Sequence, residues 1–187
     1  MPILYCAPQS RSDTIVALVH MLKADIEMVE VSISRQDGSG APDPRNPHPE
    51  KKVPYLVDGD QSVRERGAIV TYLTDAYPAA GLAPLPGEPG RGAYLSWLFY
   101  YQGVMEPVIV QHMMGIHHPA LTATFRDFDA MIARLDEALA RGPFLLGARF
   151  TAADMLCASP FQWFAGILQD HKAIRDWVER CSERMAM

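Results

Sequence analysis

A proline-rich segment near the middle of the chain separates two regions whose hydrophobic residues follow different spacings. Its sequence is LAPLPGEPG, with prolines at positions 84, 86 and 89. Before this segment, strand-like and helix-like runs alternate, whereas every later run has the three-or-four-residue spacing of a helix. Segments of this composition commonly join domains. We therefore predict a domain at 1–78, a linker at 79–90 and a second domain at 91–187.

The first region predicts the order β-α-β, loop, β-β-α. Its predicted strands are 2–6, 26–33, 53–57 and 62–63, and its predicted helices are 13–22 and 65–77. Prolines and glycines in residues 34–52 exclude a long helix there. The opening β-α-β favours parallel strands joined by a crossover helix. This order is that of a thioredoxin-like unit.

The second region predicts helices only. They cover 91–115, 120–141, 151–167 and 171–184. Pro107 is expected to kink the first of them. Thr151 and Asp154 have the spacing of a capping box at the start of the third. The predicted fold class is therefore α/β + all-α, an N-terminal thioredoxin-like domain followed by an all-helical domain.

The charge and composition of the chain limit the kinds of binding partner and the cellular compartment that we expect. The 187 residues carry a net charge of −5 and have no basic stripe, so we expect neither nucleic acid nor an anionic membrane as partner. The N-terminus does not have the pattern of a signal peptide, and no apolar run approaches the roughly 20 residues that span a bilayer. Three widely spaced cysteines suit a reducing compartment. We predict a soluble cytoplasmic protein.

The turn between the first strand and the first helix is the predicted reactive position. Amides and the dipole at a helix N-terminus favour an anion there, especially a thiolate. A redox enzyme of this fold would carry Cys-x-x-Cys over 10–13, but this chain has Ser10 and Asp13. Ser10 could instead donate a hydrogen bond to a thiolate that the substrate brings. The alternative is that Ser10 or Ser12 only caps the helix.

Two further signals follow along the chain. Pro54 opens a predicted edge strand, where it is expected to be cis and to leave the backbone of Val53 for an extended peptide ligand. Glu65 and Arg66 begin a helix whose first amides could bind a ligand carboxylate. Each has a structural alternative, an ordinary strand proline and a favourable acid in a first turn. Cys6 is a rival nucleophile, although packing is the expected role for a cysteine at the end of a strand.

Four segments in this order resemble the cytosolic glutathione transferases, particularly bacterial ones. They are YCAPQSRSDTIVALVHML, NPHPEKKVPYL, ERGAIVTYLTDAYP and FLLGARFTAADM, and the resemblance runs from residue 2 to about 184. It implies that the N-terminal unit binds glutathione as a co-substrate, with no other cofactor. It also implies that the helical unit holds a small hydrophobic electrophile and that the protein is a homodimer.

The same resemblance implies roles for individual residues. Ser10 matches the residue that contacts the glutathione sulfur and is the expected catalytic residue. The other residues expected to bind glutathione are Pro8, Arg11, Lys52, Val53, Pro54, Glu65 and Arg66. Arg66 departs from the serine usual in the family, and the proline-rich segment 34–49 replaces a short helix. Because of these departures, an alternative function remains: a non-catalytic module that binds glutathione weakly or serves as an interaction scaffold.

The helical unit contributes a predicted co-substrate pocket. Its expected residues are Tyr100, Tyr101, Met105 and His112, with packing in the core or at a dimer interface as the alternative role. His112, His117 and His118 do not share a helix face, so no metal site is expected. A third reading of the chain is a glutathione-dependent reductase that uses Cys6.

Overall fold

A four-stranded sheet forms the centre of the first unit. In the computed structural model, which describes residues 1–186, its strands are β1 (Ile3–Cys6), β2 (Glu27–Glu30), β3 (Tyr55–Asp58) and β4 (Gln61–Val63). Their order is β2-β1-β3-β4, with β1 and β2 parallel and the other two pairs antiparallel. Two helices, α1 (Asp13–Leu22) and α2 (Arg66–Ala76), complete the unit. This is the predicted thioredoxin-like arrangement.

Apolar periodicity explains how α1 joins the core. Ile15, Leu18, Val19 and Leu22 fall on one face and are all buried. The helix packs against α2, while Leu4 and Leu56 in the middle of the sheet have no exposed surface. Complete burial of such side chains contributes about 1.5–3 kcal/mol each. The sheet and helices thus fix the turns at the strand ends.

The structure corrects the expectation that Pro54 opens an edge strand. Because β3 lies between β1 and β4, it is an inner strand of the sheet. A proline has no N–H to donate to a ladder, and Pro54 accordingly precedes the first residue pair, Tyr5 with Tyr55. The Val53–Pro54 peptide bond is cis, as predicted.

The second unit is helical, as predicted. Its helices are α3 (Arg91–Tyr100), α4 (Glu106–Met113), α5 (Pro119–Phe125), α6 (Phe128–Leu139), α7 (Ala152–Trp163) and α8 (Lys172–Met185). A π-helical turn over Tyr101–Met105 joins α3 to α4. Pro107 lies two residues after this turn and cannot donate the usual backbone hydrogen bond. The irregularity therefore falls where the sequence predicted a kink.

The single helix predicted over 120–141 is wrong, because the chain breaks between α5 and α6. Arg126 has φ of 75°, outside the helical region, and its N–H closes the last turn of α5 on the carbonyl of Thr122. Asp127 then caps α6 by accepting from the amide of Ala130 at 2.9 Å. Aspartate is among the preferred residues at this position. The helical spacing of apolar residues continues across the break, so the sequence pattern does not indicate where one helix ends and the next begins.

Asp154 is the centre of the polar core of the helical unit. The capping box with Thr151 is present, and the Thr151 amide donates to the Asp154 carboxylate at 2.9 Å. The same carboxylate accepts from the Leu145 amide at 2.8 Å and from the Trp177 indole at 3.0 Å. Asp154 is completely buried. One side chain thus joins a loop and two helices.

The chain divides into two compact units, Met1–Ala80 and the part from Gly81 onwards. Residues 81–84 are bonded to the helical unit. The Leu82 carbonyl accepts from the Ala152 amide at 2.8 Å, and Arg149 donates to the carbonyls of Gly81 and Ala83. Within residues 1–186, no helix has the length and apolar character needed to cross a membrane.

Candidate functional site

Three chain segments meet at one end of the sheet in the first unit. The register pairs Tyr5 with Tyr55 and Leu56 with Val63. The chain leaving β1, the chain entering β3 and the chain leaving β4 therefore lie at the same end. These segments carry all the glutathione-binding residues predicted from the sequence: Pro8, Ser10, Arg11, Lys52, Val53, Pro54, Glu65 and Arg66. The fold thus brings them to one end of a single unit.

Ser10 belongs to a small hydroxyl network. Its hydroxyl lies 2.7 Å from the Ala7 carbonyl and 2.7 Å from the Ser12 hydroxyl, and it accepts from the Ser12 amide at 3.1 Å. Ser12 is completely buried and accepts from the Ala7 amide at 3.0 Å. The Ser12 side chain makes no capping bond to α1, so the capping alternative is wrong for Ser12. Ser10 accepts from the amide of Ser12, which is the N-cap residue of α1.

The first residue of α1 already places a negative charge at this turn. The Asp13 carboxylate accepts from the Ser10 amide at 3.2 Å and also from the Gln9 amide. Partial burial raises the pKa of Asp13, while these hydrogen bonds oppose the shift. The two amides are thus engaged by the protein's own carboxylate. Ser10 itself remains half-buried.

The backbone of Val53 has donor and acceptor capacity to spare. Throughout the described residues 1–186, no hydrogen bond engages its N–H or its C=O. Asn46, completely buried, donates to the Lys52 carbonyl at 3.1 Å, and Lys51 donates to the Asn46 carbonyl at 2.6 Å. The residues before Val53 are therefore held in place, and an extended peptide could pair with Val53 itself.

His48 supports the same segment as a neutral imidazole. Its Nδ1 atom accepts from the Glu50 amide at 3.0 Å, and its own amide donates to the Asn46 side chain at 3.0 Å. Burial, followed by the nearby Arg64 guanidinium, lowers the pKa of His48. The ring also packs edge-on against Tyr55, with centroids 4.9 Å apart. The imidazole therefore both packs and accepts a hydrogen bond.

The start of α2 combines strain with available amides. Glu65 has φ of 66°, a conformation that side-chain-bearing residues rarely adopt and that is common at binding sites. Gly67 and Ala68 follow in the first helical turn, where amides have no acceptor within the helix. The Arg66 side chain is buried. The helix terminus, rather than the guanidinium, therefore offers the more accessible carboxylate-binding groups.

Cys6 is poorly suited to act as a nucleophile. It is buried, and its sulfur lies 3.9 Å from the Val29 carbonyl. Burial raises the pKa of Cys6, and the neighbouring carboxylates of Glu30 and Asp13 raise it further. Since the thiolate is the reactive form, this environment opposes the reading of Cys6 as a redox nucleophile.

The residues predicted for a co-substrate pocket lie in different surroundings. Tyr100, Tyr101 and Met105 are buried in the helical unit. His112 instead lines a half-open cavity of about 290 Å³ between the end of α4 and the start of α6. The structure therefore separates His112 from the other three.

The cavity is lined by three histidines that were predicted not to share a helix face. His117 and His118, in the connection between α4 and α5, line it together with His112. The His112 ring stacks on Phe128 with centroids 4.0 Å apart. His118 accepts from the Ala120 amide through Nδ1, which leaves the proton on Nε2. Among residues 1–186, no group of side chains has the arrangement of a metal site.

Sequence reasoning missed several residues that shape the site. They are Ser12 as a network member, Asp13 as an acceptor, Asn46 and His48. The only indication in the sequence was the polar side chains near turns and in the proline-rich loop, which commonly form hydrogen bonds with the backbone. This pattern does not identify the partner of each side chain. Their partners depend on the tertiary fold and could not be read from spacing.

Comparison with known proteins agrees with this architecture. Residues 4–84 match the glutathione S-transferase N-terminal domain, and residues 119–181 match the glutathione S-transferase C-terminal domain. Glutathione S-transferase 3 of Zea mays is 30% identical, over 81% of this chain and 72% of the relative. The disulfide-bond oxidoreductase YfcG of Escherichia coli is 24% identical, over 98% of this chain and 91% of that protein.

Solved structures show the same fold. A glutathione S-transferase from Actinobacillus pleuropneumoniae superimposes with a TM-score of 0.79 at 22% identity, covering 100% of this chain and 93% of the other. A sphingomonad glutathione S-transferase complexed with glutathione gives a TM-score of 0.65 at 24% identity, covering 96% and 98%. A thioredoxin-like unit followed by a helical unit defines the class. The chain belongs to the glutathione S-transferase family.

Proposed function

We propose that this protein is a glutathione S-transferase that joins the glutathione sulfur to a small electrophile. Glutathione binds at the end of the sheet where Pro8, Ser10, Arg11, Lys52, Val53, Pro54, Glu65 and Arg66 meet. The observation that carries the proposal is the unengaged Val53 backbone beside the Ser10 turn. An extended tripeptide supplies one N–H and one C=O to pair there.

Ser10 stabilises the sulfur as a thiolate. In the free protein its hydroxyl donates to the Ala7 carbonyl, which also lies 3.0 Å from the Ser12 hydroxyl. When Ser10 turns its proton to the sulfur, Ser12 still satisfies that carbonyl. A hydrogen bond to a charged group contributes about 1.5–3 kcal/mol, equivalent to about one to two units of thiol pKa.

The reaction needs no nucleophile from the protein. The glutathione thiol loses its proton to solvent, and a lone pair of the thiolate forms a bond to an electrophilic carbon. In a substitution, the leaving group departs with the electron pair of the broken bond. Ser10 acts by holding the sulfur in its anionic form.

The other end of glutathione binds at α2. The amides of the first turn donate to its γ-glutamyl carboxylate, and the Glu65 carboxylate accepts from its ammonium group. Because the Arg66 side chain is buried rather than presented to solvent, this end is held less strongly than a bidentate guanidinium would hold it. That burial is the feature that favours the alternative of a weakly binding, non-catalytic module.

The helical unit provides the surface for the electrophile. The cavity beside His112 includes the Phe128 ring, the Arg126 side chain and two further imidazoles. Such a lining suits a planar substrate with hydrogen-bonding substituents better than a purely hydrophobic one. Tyr100, Tyr101 and Met105 do not line this cavity and are buried in the helical unit.

The protein is proposed to act as a homodimer. Phe99 on α3 is 75% exposed although its neighbours Leu98 and Tyr100 are buried. A large aromatic side chain on the surface is a common anchor of protein–protein interfaces. A second copy of this chain is therefore the proposed cover for this part of α3.

Calorimetric titration with glutathione, followed by a conjugation assay with chlorodinitrobenzene, tests the proposal. We expect binding and glutathione-dependent turnover. S-methylglutathione serves as the control, since it keeps the backbone contacts but cannot form a thiolate. Binding without turnover across several electrophiles would favour the non-catalytic module. Absence of binding would refute both.

A second candidate is a disulfide oxidoreductase, favoured by the similarity to YfcG along nearly the whole chain. Bound glutathione would then supply the thiolate that attacks a disulfide sulfur and releases the other sulfur as a thiolate. Activity with hydroxyethyl disulfide that survives Cys6→Ala would support this reaction. Complete loss in Cys6→Ala would instead identify Cys6 as the nucleophile, against the burial of its thiol.

A further inference from the structure

Two peptide groups beside Ser10 have both their C=O and their N–H bound by charged side chains. Arg35 donates to the Pro8 carbonyl at 2.8 Å and to the Gln9 carbonyl at 2.9 Å. The amides of the same two peptide groups, those of Gln9 and Ser10, point to the Asp13 carboxylate, with 3.2 Å between the Ser10 nitrogen and Asp13. The C=O and N–H of a trans peptide point in opposite directions. Arg35 and Asp13 therefore lie on opposite sides of the turn.

The turn needs this support because its backbone is strained. Gln9 has φ of 54°, in the left-handed region. A residue with a side chain adopts this conformation only where the surrounding structure holds it. The hydrogen bonds from Arg35 and to Asp13 are the contacts that hold it here. The position of the Ser10 hydroxyl depends on this same turn.

Arg35 is itself fixed by a local loop. Its amide donates to the Ser39 carbonyl at 2.9 Å, and its carbonyl accepts from the Gly38 amide at 3.1 Å. Asp37 lies near the guanidinium, but its carboxylate accepts from the Ser39 amide and hydroxyl. The backbone of Arg35 is thus held by hydrogen bonds where its guanidinium extends to the 8–10 turn.

We propose that Arg35 and Asp13 are positioning residues that together hold the 8–10 turn in the form that receives the glutathione sulfur. Arg35 acts through its two-pronged geometry rather than through its charge alone. Asp13 completes the arrangement by binding the opposite ends of the same peptide groups. The inference rests on the proposed function for its ligand, but the rigid turn exists in the free protein.

Arginine and lysine variants separate geometry from charge. Arg35→Lys keeps the charge but cannot reproduce the planar fork that binds two carbonyls, whereas Arg35→Met removes both. We expect each variant to weaken glutathione binding about five- to thirty-fold, with the two values within about threefold of each other. Arg141→Met, at an exposed position just after α6 in the other unit, is the matched control and should bind like the wild type.

Amide hydrogen exchange supplies a readout that does not need glutathione. Exchange at Gln9 and Ser10 should be at least tenfold faster in both Arg35 variants and in Asp13→Ala than in the wild type. Exchange in the core of β1 should remain unchanged, which verifies folding. Faster exchange with weaker binding supports the inference.

Two outcomes would overturn it. Wild-type exchange at Gln9 and Ser10 in Arg35→Met means that the guanidinium does not hold the turn. Wild-type binding by Arg35→Lys, with weak binding by Arg35→Met, means that only the charge matters. If the wild-type protein binds no glutathione, the proposed function fails, and the exchange data alone decide whether Arg35 and Asp13 fix the turn.

Discussion

The hydroxyls of Ser10 and Ser12 both lie within hydrogen-bond distance of the Ala7 carbonyl. We propose that Ser10 acts on the sulfur and that Ser12 stabilises the fold, and substitution should distinguish these roles. Ser10→Ala removes a donor to the sulfur, so we expect kcat/KM at neutral pH to fall about 10- to 100-fold, in line with a loss of about 1.5–3 kcal/mol. Ser12→Ala leaves the buried Ala7 amide without its 3.0 Å acceptor. It should lower the free energy of unfolding by about 1–3 kcal/mol.

Steady-state conjugation kinetics and urea unfolding check this pair of variants. Ser10→Ala should change the free energy of unfolding much less than Ser12→Ala does. The assignment is wrong if Ser10→Ala retains full kcat/KM, or if it destabilises the protein as much as Ser12→Ala.

His48 should make stability depend on pH. Its pKa in the folded protein lies below the ordinary value of about 6.5, so the unfolded chain binds more protons as the pH falls through that value. The free energy of unfolding should therefore decrease from pH 7 towards pH 5. His48→Gln keeps an acceptor for the Glu50 amide but does not titrate, so its profile should be flatter. Urea unfolding of both proteins at several pH values is the measurement; equal slopes would contradict the assignment.

At the scale of single residues, the sequence predicted the position of Ser10 but not its supports. Ser10 follows a recognisable strand and precedes a recognisable helix, so its place in the fold is a local property. Arg35 reaches the turn from 26 and 27 residues away, and no spacing within the chain encodes that contact. Asn46 and His48 likewise act through a folded loop without regular structure.

At the scale of elements, Asp154 joins three segments of the helical unit. Asp154→Ala leaves the Leu145 amide, the Thr151 amide and the Trp177 indole without their shared acceptor. We expect the free energy of unfolding to fall by about 3–5 kcal/mol, since each buried donor left without an acceptor costs about 1–3 kcal/mol. Asp176→Ala is the matched control, because its pair with Lys172 is on the surface.

Thermal and urea unfolding measure both aspartate variants. The surface pair should contribute less than about 1 kcal/mol. Comparable losses for Asp154→Ala and Asp176→Ala would show that the buried carboxylate does not organise the unit.

Most element types followed from the sequence because apolar periodicity is local. The strands before and after α1, the hairpin and the start of α7 were all predicted. The break between α5 and α6 was not, since Phe125, Phe128 and Ile132 keep helical spacing on both sides of Arg126. The inner position of β3 was also missed, because strand order depends on which strands pair rather than on the pattern within each.

At the scale of the whole molecule, the proposed sulfur site belongs to the first unit and the His112 cavity to the second. The proposed self-association involves an exposed aromatic side chain of the helical unit. Assembly can therefore be tested separately from glutathione binding.

Phe99→Glu should weaken self-association. Placing a charge on a surface that a second copy covers opposes burial, so sedimentation analysis should give a dimer for the wild type and a larger monomer fraction for the variant. Phe164→Glu, an exposed aromatic position elsewhere in the helical unit, serves as the control. A wild-type monomer at all concentrations would contradict the homodimer.

The acidity of glutathione bound to the wild-type protein tests the central claim most directly. Thiolate ultraviolet absorbance, followed against pH with saturating ligand bound, gives the pKa of the sulfur in the complex. We predict a midpoint one to two units below the ordinary thiol value of about 8.5, with Ser10→Ala returning it towards that value. A bound thiol that titrates at its ordinary pKa in the wild type would contradict the account.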